Sequence, residues 1–256
     1  MSEASTLRRF DDRIALVTGG ASGLGEAICH RLAREGAQVA VVDLQMSGAQ
    51  RVVEDIGKAG GRARAFEADV TVFESIAAAV AAVTDALGRI DLAVNNAGVA
   101  CPFLPTADQT LEMWNRVIGV NLTGVFHSMK AELPCMVGHG GAIINMASIT
   151  GTVGVADIAP YVASKHGVIG LTKAAALEYG KHGIRVTAVC PTFVKTPLTT
   201  AALKEDAQWA ALDAMHALGR CATPDDVAGM VAFLGSADAA MLTGSAYLVD
   251  GGFTTS

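Results

Sequence analysis

Short apolar runs alternate with stretches of helix length along this 256-residue chain, and the alternation restricts its fold more than any other feature. Residues 14–17, 38–42, 90–94, 142–146 and 185–189 are nearly continuous in apolar character, as strands covered on both faces must be. Residues 246–249 add a last strand. Between them, residues 23–36, 50–60, 73–88, 111–137 and 159–182 have helix length, and most end at or near glycine, a common helix stop. The pattern is that of repeated strand–helix–strand units. The expected fold is α/β: a doubly wound parallel sheet of about seven strands with helices on both faces and a ligand crevice at the carboxyl ends of the strands. Apolar residues make up 51% of the chain and charged residues 17%, enough to cover both faces of such a sheet. No repeat or Pro/Gly-rich linker divides the sequence, so one domain over residues 1–256 is expected.

Directly after the first strand come Thr18-Gly19-Gly20-Ala21-Ser22-Gly23-Leu24-Gly25 and then a helix. A tight turn needs glycine for its backbone angles, a pyrophosphate needs close approach of the backbone, and free N–H groups at a helix N-terminus favour negative charge. Gly19, Gly23 and Gly25 supply these conditions with the spacing GxxxGxG, and Ser22 and Leu24 complete the turn. A dinucleotide is the expected ligand. At the end of the second strand Asp43 lies eighteen residues past Gly25, close to the roughly twenty expected of a carboxylate that accepts hydrogen bonds from the adenosine ribose. It should repel the 2′-phosphate of NADP. Neither Gly20-Ala21-Ser22 nor Leu44-Gln45-Met46 offers an Arg or Lys to attract one, so NAD is the expected cofactor.

Ser148 follows the strand at 142–146, which puts its hydroxyl at the crevice end, and Tyr161 and Lys165 stand four apart on one helical face. A phenol with an ordinary pKa of about 10 is a poor base at neutrality, and a nearby ammonium favours its anion. Bringing it to neutrality takes roughly 4 kcal/mol, which Lys165, a positive nicotinamide and a helix N-terminus could share. His166 is next to Lys165 but points elsewhere on the helix, and is read as packing.

Together these residues resemble the short-chain dehydrogenase/reductase family, whose signature of serine, twelve residues, tyrosine, three residues and lysine stands here as Ser148, Tyr161 and Lys165. The resemblance covers essentially the whole chain and implies a Rossmann-type fold. Asn95-Asn96-Ala97-Gly98 matches its NNAG segment, which implies cofactor contacts from Asn95, Ala97 and Gly98. Asp69-Val70 matches the pair beside adenine, and Pro191, Val194 and Thr196 match the segment beside the nicotinamide carboxamide. Asn121 matches the fourth catalytic residue, which holds a backbone kink and a water of the proton relay. By the same resemblance Ser148 polarises the substrate oxygen, Tyr161 takes or gives its proton, and Lys165 also holds the nicotinamide ribose. A homotetramer is implied as well. The chain departs from the family in one place: Pro191 is followed by Thr192, where glycine is usual. Its side chain either narrows the pocket or offers a hydroxyl to substrate, and the sequence leaves both open.

The segments expected to form the substrate pocket are mainly apolar, with Cys101, Phe103, Ile149, Val155, Thr192, Phe193 and Leu198 among them and a lid over residues 197–218. No arginine clamp for a carboxylate or phosphate is visible there. The expected substrate is a neutral, hydrophobic secondary alcohol or ketone, cyclic or aryl-alkyl. Two other readings stand beside it: a reductase of a carrier-bound 3-oxoacyl group, and a catalytically silent nucleotide-binding protein. The net charge of −6 argues against nucleic acid or an anionic membrane surface as partner. Five widely spaced cysteines without a CxxC pair, no metal-ligand spacing and no apolar leader fit a cytoplasmic protein without a metal.

Overall fold

A computed structural model describes residues 7–200 and 203–255. The strands β1 (Ile14–Thr18), β2 (Gln38–Asp43), β3 (Arg62–Glu67), β4 (Leu92–Asn95), β5 (Gly141–Met146), β6 (Ile184–Pro191) and β7 (Ala246–Val249) form one sheet. Their order is β3-β2-β1-β4-β5-β6-β7, and every neighbouring pair is parallel. The chain winds outward from β1 to β3, then returns to place β4 on the other side of β1. That reversal opens a crevice between the loops that leave β1 and β4.

Six strands lie where the apolar runs predict them, with ends shifted by two residues at most. The seventh, β3, was not among those runs. Arg62, Arg64 and Glu67 interrupt its apolar residues, because it is an edge strand whose side chains reach solvent. Charge on such an edge also blocks pairing with another sheet.

Helices α1 (Gly23–Arg34), α2 (Met46–Lys58), α3 (Phe73–Leu87), α4 (Leu111–Ile118), α5 (Gly124–Met136) and α6 (Ala159–Tyr179) fill the connections. The helix predicted over 111–137 is interrupted by a π-helical turn at Gly119–Thr123. Beyond β6 come α7 (Pro197–Thr200), α8 (Asp206–Ala214) and α9 (Pro224–Gly235). Residues 201–202 of the expected lid lie outside the described residues. α9 was not predicted, although Thr223 and Asp226 form a capping box and Pro224 opens its first turn. Arg185 of β6 closes its other end by donating to the Leu234 and Ser236 carbonyls at 2.7 and 3.1 Å.

Strand residues alternate between the two faces of the sheet. Ala15, Val17, Val39, Val41 and Ile144 face Ile28, Leu32, Val52, Val231 and Leu234 from α1, α2 and α9. Leu16, Ala40, Val42 and Ile143 face Ile76, Val80, Met129, Leu133 and Ala175 from α3, α5 and α6. Among the described residues, no helix is long and apolar enough to cross a membrane, and no cluster of His, Cys, Asp or Glu could hold a metal ion.

Candidate active site

A cleft of about 430 Å³ opens at the crevice. From the first half of the sheet Gly19, Ser22, Gly23, Leu24, Asp43, Asp69, Val70, Ala97 and Gly98 line it. From the second half come Ser148, Tyr161, Lys165, Pro191, Thr192, Val194, Thr196 and Leu198. Residues far apart in sequence thus line one cleft.

The first turn is built by backbone fit. Gly19 has φ +63°, and a side chain there would press within 2.8 Å of the Ala97 Cα. Gly25 does not line the cleft. It lies under the turn, where a side chain would collide with the Gly19 carbonyl oxygen. Asn96 stitches the two loops together, donating through Nδ2 to the Thr18 and Gly19 carbonyls at 3.1 and 3.0 Å. Ser22, the cap of α1, makes no side-chain bond to the first turn, so those amides have no cap of their own. Asp43 accepts from the amides of Ala21 and Gln45 at 3.0 and 2.9 Å, which fixes its carboxylate at the cleft. Arg51 donates to the Ala21 carbonyl at 2.9 Å, and the sequence reading missed it. Glu26 neutralises it through two bonds of 2.7 and 2.8 Å.

At the other end, Ser148 caps a short 3₁₀ turn and accepts from the Thr150 amide at 3.2 Å. Tyr161 lies near the start of α6, and Lys165 follows one turn later with Nζ 5.5 Å from the phenol ring centroid. Burial pushes the Tyr161 phenol up to about 12, opposed by the Ser148 hydroxyl. Burial likewise pushes the Lys165 ammonium down to about 8. Desolvation therefore works against the phenolate in the protein alone. Lys165 is 4% exposed and donates to the Met146 carbonyl at 2.8 Å. Its other two N–H groups have no protein partner among the described residues.

Several predicted residues lie elsewhere. Asn95 is buried beneath the cleft and donates to Glu132 and Asn145 at 3.1 and 3.0 Å, whereas its neighbour Asn96 lines the cleft. Consecutive residues at a strand end point to opposite faces, and only one can reach the crevice. Asn121 is wholly buried in the π-turn, where it accepts from the Val99 amide at 2.8 Å and donates to the Val99 carbonyl at 2.9 Å. Phe193 stacks edgewise on Phe253 with centroids 5.9 Å apart. Ile149 is core, Phe103 is 56% exposed on its loop, and neither Cys101 nor Val155 lines the cleft. Val120, Met146 and Thr199 do line it and were missed, because their positions depend on contacts between distant segments.

The family model described as enoyl-(acyl carrier protein) reductase matches residues 19–254. Cyclohexanol dehydrogenase of Acinetobacter sp. (strain SE19) is 45% identical over 248 residues, 96% of this chain and 97% of that protein. A short-chain type dehydrogenase/reductase from Mycobacterium marinum superposes with a TM-score of 0.92 at 35% identity, over 98% of both chains. The chain belongs to the short-chain dehydrogenase/reductase family. It is an oxidoreductase acting on CH–OH groups, in a family that uses a nicotinamide cofactor. Another member, gluconate 5-dehydrogenase from Burkholderia cenocepacia J2315, was crystallised in complex with NADP and tartrate; it gives a TM-score of 0.93 at 30% identity, over 98% of both chains.

The cleft of this short-chain dehydrogenase/reductase fits a dinucleotide on its own geometry. The uncapped amides of α1 could hold a diphosphate. The two spare donors on buried Lys165 could hold ribose hydroxyls, and Asp43 could accept from the second ribose.

Proposed function

We propose that this chain is an NAD(H)-dependent dehydrogenase that interconverts a neutral, hydrophobic cyclic secondary alcohol and its ketone. The observation that carries the reading is the cleft wall where Ser148, Tyr161 and Lys165 meet. Lys165 is the only lysine there and no arginine is present among the described lining residues. An anionic substrate would have no cationic clamp. The relative that acts on cyclohexanol supports a cyclic carbinol.

Ser148 orients the substrate oxygen by hydrogen bonding, and Tyr161 exchanges the hydroxyl proton at its phenolic oxygen. Lys165 fixes a ribose and contributes positive charge beside the phenol. The bound nicotinamide supplies the carbon that accepts or delivers hydride. Burial holds the phenol high, so positive charge beside it, from Lys165 and from the cofactor's ring when bound, would favour its anion. Asn121 acts through the backbone at Val99, holding the loop after β4 against the π-turn.

Asp43 supports NAD over NADP. Its carboxylate lines the cleft, and the nearby guanidinium of Arg51 is already paired with Glu26. The test is kcat/KM with both cofactors across neutral cyclic alcohols, acyclic alcohols and hydroxy acids. Preference for NAD and for a cyclic alcohol is expected, and Asp43→Ala should shrink the cofactor ratio markedly. Equal or better kcat/KM with NADP refutes the cofactor assignment, and a hydroxy acid that outperforms every neutral alcohol refutes the substrate class.

A further inference from the structure

Thr192 places a hydroxyl at the cofactor-facing end of β6, and its surroundings decide where that hydroxyl's proton goes. Thr192 Oγ1 lies 2.8 Å from His216 Nε2, and His216 Nδ1 lies 2.7 Å from the Leu212 carbonyl oxygen. A carbonyl oxygen only accepts, so Nδ1 carries hydrogen. In the neutral ring Nε2 is then an acceptor, and Thr192 must be the donor. The imidazole has little room to turn: His216 is 4% exposed and its ring centroid lies 5.1 Å from that of Phe253. The Thr192 amide is also engaged, donating to the Val249 carbonyl at 3.1 Å. What Thr192 has left to offer a ligand is lone pairs on Oγ1. It lines the cleft together with Ser148 and Tyr161, and His216 is not among the lining residues.

We propose that Thr192, held as an acceptor by His216, is a specificity-determining residue that receives a hydrogen bond from a second hydroxyl of the substrate. The site then prefers a cyclic diol, or the matching hydroxyketone in the reverse direction, over the corresponding mono-alcohol. This rests on the reading of the cleft as an alcohol dehydrogenase site for neutral cyclic substrates. Ser148 and Tyr161 engage the reacting oxygen, so Thr192 meets a different oxygen of the same molecule. A carboxylate or a second carbonyl brings only acceptor atoms to this point and is disfavoured. An O–H fits, since it completes a donor chain running from substrate through Thr192 and His216 to the Leu212 carbonyl. His216 is a positioning residue, acting only through Thr192.

The experiment compares kcat/KM for cyclohexanol and for each positional isomer of cyclohexanediol, using the full-length enzyme with its preferred nicotinamide. Wild type should favour at least one diol. Thr192→Val keeps the shape and removes the hydroxyl; it should lower the ratio of that diol to cyclohexanol about tenfold, mainly through the KM of the diol. Thr192→Ser should restore the ratio. His216→Phe, which releases the Thr192 proton, should lower it as well. A ratio unmoved by Thr192→Val, or not restored by Thr192→Ser, overturns the proposal, and this pair decides even if His216→Phe fails to fold. If wild type turns over cyclohexanol but never favours a diol, this proposal fails and the functional reading stands. Turnover of neither class overturns both.

Discussion

Replacing Glu132 by glutamine should stabilise the protein at pH 8 far more than at pH 5. The Glu132 side chain is wholly buried in α5, where among the described residues Asn95 is its one donor at 3.1 Å and Oε1 has no partner. Burial outweighs that single bond and pushes the carboxyl up from its ordinary 4.5 to about 7. A raised carboxyl means that the folded state holds its proton more tightly than the unfolded chain does. Stability from this group is therefore fully present below about pH 4.5 and is lost as pH rises to about 7, above which the loss is complete. A separation of that size corresponds to about 3 kcal/mol. Glutamine keeps an acceptor for Asn95 and has no charge to bury, so the variant should escape the loss. For a chain of this length, that converts to roughly 6 to 12 °C in Tm at pH 8 and about 2 to 3 °C at pH 5. Melting followed by tryptophan fluorescence at one fixed protein concentration reads the difference, and subtracting variant from wild type removes the other titrating groups. A difference in Tm that is the same at both pH values would show that Glu132 does not enter the fold as a neutral acid.

Tyr161→Phe should lower kcat by about 10² to 10⁴ while NADH binding and Tm stay near wild type, and retention of more than about a tenth of kcat would move the acid–base role elsewhere. Lys165→Met should weaken NADH binding, read by nucleotide fluorescence, and shift residual activity to higher pH; unchanged affinity would refute the ribose contact. Light scattering at micromolar concentration should return four copies of the 26.2 kDa chain, because Trp114, Phe126 and Leu177 leave apolar area exposed on α4, α5 and α6. A monomeric mass would refute the homotetramer.

Much of this site was legible because its constraints are local. The glycines of the first turn answer to backbone angles and close approach, and Tyr161 and Lys165 share a helix face by spacing alone. Ser148 and Asp43 were found because strand ends point at the crevice. The misses are non-local or depend on parity. β3 escaped notice because an edge strand need not be continuously apolar. Asn95 and Asn96 are adjacent, and only the end of β4 decides which one faces the cleft. Phe193 was placed in the pocket because nothing in the sequence links it to Phe253. Nothing in the sequence links Thr192 to His216, 24 positions away, whose ring its hydroxyl meets. Arg51 stands thirty positions past Ala21, and only the packing of α2 brings the two together.

The pairing of β1 with β4 also imposes an order on the life of the chain. Ala15 is in register with Leu92 and Thr18 with Asn95, so β1 lacks its second neighbour until nearly a hundred residues have left the ribosome. Until then the emerging β1–β2–β3 half presents an apolar edge and only one wall of the cleft, a state in which parallel pairing is slow and aggregation competes. A ligand that touches both walls binds the finished article and not the half-made one. Nucleotide supply during synthesis should therefore raise the yield of soluble enzyme as well as its later stability.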